Sequence, residues 1–162
     1  MFRKLLSPLL LTASAVLFAS AALAQMPNHY GAPINAENAK KAAAAALAEA
    51  KKNNWTMAVS ITDGNGALVF FEKMDGTQTG SVDVSLGKAR TAALFKRPSK
   101  VFQDVLAAGG DGLRILGLQG AVPIDGGLPL LMDGKIVGAI GLSGGSSAQD
   151  GTAAKAGADA LK

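Results

Sequence analysis

The 162-residue chain contains no cysteine. Disulfides, thiolate nucleophiles and thiolate metal sites are therefore excluded, and the core must hold the fold by itself. There is one histidine, His29. A site built from several histidines of one chain is excluded, and a Ser-His-Asp set would have to use His29. His29 lies in a Pro- and Gly-containing stretch, and "GLSGG" (141–145) has the spacing GxSGG, not GxSxG. Aromatic residues make up only 5% of the chain and charged residues 17%. No basic stripe interleaves with aromatics, which argues against a nucleic-acid partner.

What is present begins with a leader. Arg3 and Lys4 precede an apolar run at 5–18, and Ala22-Leu23-Ala24 supplies a small-x-small site. The run is shorter than the roughly 20 residues that span a bilayer. This is the pattern of a cleaved export signal over residues 1–24, giving a periplasmic or secreted product. Cleavage leaves 138 residues and lowers the formal net charge from +4 to +2. Residues 25–34 read as an irregular arm, and 35–162 as a single domain of ordinary size.

Local signals then order the elements. Asn35 is placed to cap a helix over 36–52, where Ala, Lys and Glu dominate and small side chains allow close packing against a sheet. "WTMAVSIT" (55–62) and "ALVFFEKM" (67–74) flank "DGNG" and read as a hairpin. A helix over 81–95 ends before Pro98, and Ser99 is placed to cap another over 100–108. Residues 113–118 fit either a short strand or a turn of helix. Residues 121–124, 128–132 and 136–143 read as strands, the last two joined by a tight Asp133-Gly134-Lys135 turn. A helix rich in small residues follows over 147–161. The fold class is α+β: an antiparallel sheet of about five strands flanked by helices, without internal repeat.

The glycine-dense stretch at 121–145 has neither P-loop nor GxGxxG spacing. Gly138 and Gly141 fall inside a strand pattern, where glycine marks a bulge or close backbone approach. Six aspartates each precede a glycine, and turn geometry explains all six better than acid–base work does. Lys88, Arg90, Lys96 and Arg97 cluster toward the end of the 81–95 helix, either as a solvated face or as cations for a carboxylate ligand. Thr91 sits among them, either tolerated there or hydrogen-bonded to the preceding turn. His29 is either a solvated loop residue or an axial ligand to haem iron.

"MAVSITDGNGALVFFEKMDG" (57–76), "SLGKARTAALFKRPS" (85–99), "VPIDGGLPLLMDGKIVGAIGLSGGSSAQD" (122–150) and "AKAGADAL" (154–161) together resemble the GlcG/HbpS haem-binding family. The C-terminal domain of PduO-type corrinoid adenosyltransferases is grouped with it. The resemblance implies a profilin-like fold and a homo-oligomer between dimer and octamer. It also implies haem or a similar tetrapyrrole as ligand and, for exported members, a membrane sensor as partner. Lys88-Ala89-Arg90-Thr91-Ala92 matches the family's KAxTA helix, so Thr91 becomes the first cofactor-binding candidate. Phe95, with Leu94, Val101 and Phe102, and the Gly126-Gly127 turn are candidates for an apolar slot. Lys88, Arg90 and Arg97 are candidate cations for propionates. No histidine lies within the matching region, which leaves His29 as candidate iron ligand, with Met74 a soft alternative.

Three functions follow. The first is an exported haem-binding protein for storage, scavenging or sensing. The second is an enzyme acting on haem or a small organic acid, for which the chain offers no convincing nucleophile or acid–base set, so no catalytic residue is assigned. The third is an oligomeric interaction protein binding a corrinoid, a flavin or another small molecule.

Overall fold

A computed structural model describes residues 28–162. The export signal expected at 1–24 lies outside the described residues. The hairpin expected around "DGNG" forms from β1 (Ala58–Asp63) and β2 (Leu68–Lys73). Asp63 Oδ1 accepts from the backbone N–H of Asn65 and Ala67 and closes the turn. A second hairpin joins β3 (Gly127–Met132) to β4 (Lys135–Ser143). Its two turn residues, Asp133 and Gly134, both have positive φ (49° and 71°), the geometry that matches strand twist. β1 and β4 pair at the centre, giving a fully antiparallel sheet in the order β2-β1-β4-β3.

The α+β class holds, with four strands where about five were expected. Residues 121–124 do not form one: Pro123 has no N–H, and the backbone folds on itself, Ala121 N donating to Leu118 O and Ile124 N to Val122 O. The ambiguous stretch before them is a 3-10 helix, Gly110–Gly117. The described part of the arm is extended. Tyr30 bridges to Ile136 in parallel, and Ile34 N donates to Val137 O.

Helices α1 (Ala36–Lys52) and α4 (Ser147–Asp159) cover one face of the sheet, and α2 (Ser81–Phe95) covers the other. Asn35 caps α1 by accepting from Asn38 N at 2.9 Å. Ser146 and Gln149 form a reciprocal capping box at α4. On the first face Val59, Ile61, Ile140 and Leu142 meet Ala42, Ala46 and Ala153. Small residues set the spacing there: a Cβ on Gly157 would lie 2.7 Å from Ala42 O. α2 approaches the other face even more closely. A Cβ on Gly141 would collide with Ser85 O and lie 2.6 Å from Ala89 N. Ser60 and Ser85 hydroxyls share a hydrogen bond of 2.8 Å across the same interface.

Lys96 ends α2 in the left-handed region (φ 55°), and its ammonium lies 4.3 Å from the Tyr30 ring centroid. Helix α3 (Ser99–Ala107) follows. Ser99, expected to cap it, is its first residue instead, and its hydroxyl serves the loop before β3. The close approach at Gly141 predicts that Gly141→Ala lowers the unfolding free energy by about 1–3 kcal/mol. Gly80→Ala, where a Cβ meets nothing within 4 Å, changes it by no more than about 0.5 kcal/mol. Chemical denaturation of the two variants checks this, and equal effects would contradict it.

Candidate functional site

The sequence-selected residues sit mostly on α2 and just beyond it, but they face different surroundings. Lys88 is 1% exposed. Its ammonium donates to Asp150 Oδ2 at 2.7 Å and to Leu142 O at 3.0 Å, joining α2 to β4 and α4. A side chain considered for propionates is thus fully engaged inside the chain. Asp150 belongs to one of the six Asp-Gly pairs read as turns. For this pair the helix expected over 147–161 holds and the turn does not: Asp150 lies in the first part of α4, buried, with Oδ1 accepting from Gly145 N at 3.0 Å. The Ser146-x-x-Gln149 capping box starts that helix and keeps Asp150 inside its first turn. Burial raises the Asp150 carboxyl above its ordinary range, while the Lys88 ammonium and the backbone N–H groups of Gly145 and Gly144 oppose that rise.

The turn expected at Gly126-Gly127 is instead the entry into β3, whose first residue is Gly127, and Gly126 packs against this pair. Gly126 has φ 117°, and a Cβ there would lie 2.8 Å from Asp150 Cβ and 3.1 Å from Lys88 Nζ. A Cβ on Gly127 would collide with Lys88 O. Both glycines are buried, and Leu142 N donates to Gly126 O at 2.9 Å.

Thr91 is also fully buried. Its hydroxyl donates to Gly87 O at 2.8 Å, with Gly120 O at 3.3 Å, and accepts from Val122 N at 2.8 Å. It thereby fixes the segment between the 3-10 helix and β3. The end of that segment next to β3 has two further anchors: Ser99 Oγ donates to Ile124 O at 2.6 Å, and Asp125 N donates to Gln103 Oε1 at 2.9 Å. Gly112 sits against the Val105 carbonyl of α3. The segment 110–124 consequently has a defined backbone while exposing Leu113 (54%), Leu116 (72%), Leu118 (37%) and Ile124 (39%). Apolar side chains held out by a fixed backbone make this segment a candidate contact surface.

The remaining candidates lie around the α2–α3 corner. Phe95 and Phe102 meet edge to face, with centroids 5.2 Å apart. Arg97 lies over the Phe102 ring and donates to Phe95 O. Arg90 is exposed and donates to Gly66 O in the β1–β2 turn. Arg114, within the apolar segment, pairs with Asp111 at the surface. His29 is exposed on the arm, where its carbonyl accepts from Ile136 N. Among the described residues no group of three or more His, Asp or Glu side chains could hold a metal ion. Elsewhere, a groove of about 570 Å³ runs between β3 and α4, with Leu128, Pro129 and Leu131 on one side and Lys155 on the other.

Comparison with known proteins adds an independent line. The family described as "Haem degrading protein HbpS-like" matches residues 34–159. Protein GlcG of Escherichia coli (strain K12) is 35% identical over 100 residues, covering 62% of this chain and 73% of that protein. The double mutant of HbpS from Streptomyces reticuli superimposes with a TM-score of 0.75 at 26% identity, covering 98% of this chain and 99% of the other. The PduOC:heme complex superimposes with a TM-score of 0.72 at 26% identity, covering 80% and 96%.

The buried pair generates a prediction. Lys88→Met leaves the Asp150 carboxylate without a counter-ion and costs about 3–5 kcal/mol of stability at neutral pH. Because burial raises the folded-state value, folding favours the protonated carboxyl. That contribution is complete below the ordinary Asp value of about 4 and is lost as pH rises through the raised value. The variant therefore recovers stability on acidification, and adding Asp150→Asn restores most of it at neutral pH. Urea denaturation across a pH series measures this; a pH-independent deficit would count against the pair.

Proposed function

The chain belongs to the HbpS-like family, and from that membership we propose that it is an exported protein that binds haem on the apolar face of residues 110–124. The observation that carries this reading is the exposure of Leu113, Leu116, Leu118 and Ile124 on a backbone fixed by Thr91, Ser99 and Gln103. A macrocycle with a flat apolar face and carboxylate edge suits such a surface. The residues present fit the macrocycle and its propionates, while the iron has no ligand within residues 110–124. Four apolar side chains offer a platform, and Arg114 within it and Arg97 at the adjoining corner offer guanidinium groups for propionates. His29, the one histidine of the chain, lies on the arm beside Ile136. Haem, when bound, supplies redox-active iron, and the chain's part is to hold and shield it. The charged start and apolar run of residues 1–24, read as an export signal, support the export part of this proposal.

The family's description as haem-degrading favours a second reading, turnover of the bound haem. We also infer a homo-oligomer. α2 packs over β1, β4 and β3 but leaves the adjoining face of β2 largely uncovered, with Leu68 and Phe71 exposed.

Titration of the purified chain with hemin should give a saturable Soret shift, and Leu116→Asp should weaken it at least tenfold, equivalent to about 1.4 kcal/mol. No saturable shift overturns the reading. Adding a reductant without peroxide separates the two roles: bleaching faster than for free hemin indicates turnover, and protection indicates holding. Sedimentation of the same samples at micromolar concentration should show a dimer or larger, and a monomer alone would contradict the oligomer.

A further inference from the structure

Resting on the haem-binding reading, we propose that Thr91 is a positioning residue and not an iron ligand. Its hydroxyl is the latch that holds the apolar platform against α2. The hydroxyl has no surface exposure. Its proton goes to Gly87 O at 2.8 Å and its oxygen accepts from Val122 N at 2.8 Å. For that oxygen to reach an iron, Val122 and the backbone around it would have to leave α2. The packing beneath is equally tight: a Cβ on Gly87 would lie 2.7 Å from Val122 Cγ2.

The position of the latch within the segment gives it leverage. The segment is anchored at its start by Gly112 against Val105, and at its end by Ser99 and Gln103. Between these anchors, Thr91 supplies the side-chain hydrogen bond to the stretch that carries Leu118. Gly117 and Gly120 flank Leu118, and Gly120 has φ 81°, so this stretch has little stiffness of its own. Loss of the Thr91 hydroxyl frees the middle of the platform while leaving its ends attached. Binding then carries the added entropic cost of ordering the platform.

The test compares Thr91→Val, Thr91→Ser and Gly87→Ala with wild type in two measurements. In the ligand-free chain, amide hydrogen exchange at Val122 should accelerate at least about tenfold in Thr91→Val and Gly87→Ala, and return near the wild-type rate in Thr91→Ser. With hemin, Thr91→Val and Gly87→Ala should bind at least about tenfold more weakly. The Soret maximum of the remaining complex should be unchanged, because the iron's own ligand is untouched. Unchanged exchange at Val122 in Thr91→Val overturns the latch. A displaced Soret maximum with unchanged exchange does so as well, and assigns Thr91 to the iron. Should the wild-type chain fail to bind hemin while Val122 exchange still accelerates in the variants, the haem reading falls and the latch stands as a loop anchor.

Discussion

Helix α2 lies on the sheet at backbone distance, and the rest of the molecule is arranged around that contact. Two strand positions facing it, Gly141 and Gly127, carry no side chain, because a Cβ would run into the carbonyls of Ser85 and Lys88. Ala92, Ala93 and Ala139 continue the same economy of bulk. An interface so thin removes few large apolar groups from water, so its cohesion comes from many short contacts and from hydrogen-bonded hydroxyls such as Ser60–Ser85. It also brings Lys88 close enough to pass its ammonium between β4 and α4 to Asp150. With the bond to Leu142 O, that ion pair ties α2 to α4 and β4, and Gly126, just before β3, packs against both its members.

The same helix organises the surface to which a ligand is assigned. Its residues between Gly87 and Thr91 receive the irregular segment that leads from the 3-10 helix into β3. Because that segment is fixed by hydrogen bonds and not by burial of its own side chains, its leucines remain turned to solvent. A protein that keeps Leu116 largely exposed bears a standing cost in water, which a bound apolar face removes. The charged residues divide accordingly: Lys88 is buried in its ion pair, whereas Arg97 lies over Phe102 and Arg114 pairs with Asp111 at the surface.

Much of this was legible in the sequence, where local chemistry determines local geometry. Asp133-Gly134 dictated a two-residue turn, Asn35 a helix start, and Pro98 a helix end, and all three are where the sequence places them. Two departures have the same origin in partners distant along the chain. Asp150 falls in the helix expected over 147–161 and also reads as an Asp-Gly turn, yet what fixes its role is Lys88, 62 residues earlier. Residues 121–124 read as a strand from their apolar character, yet Pro123 lacks a donor and Val122 N finds its acceptor on Thr91, 31 residues earlier. The same distance hides the site itself. Thr91 can be singled out as an odd choice in a helix, and its back-bond to Gly87 is foreseeable. That its oxygen also holds a loop follows only from the fold.

The central claim is that the ligand lies on residues 110–124 and not in the groove between β3 and α4. Backbone-amide NMR of the isotope-labelled chain, loaded in turn with ferric haem and with gallium protoporphyrin, tests it most directly. Paramagnetic broadening falls off steeply with distance from the iron. The account predicts that amides of residues 110–124 and of the last turn of α2 lose the most intensity in the ferric sample. Greatest losses at Leu128, Leu131 and Lys155 would place the haem in the groove and contradict it.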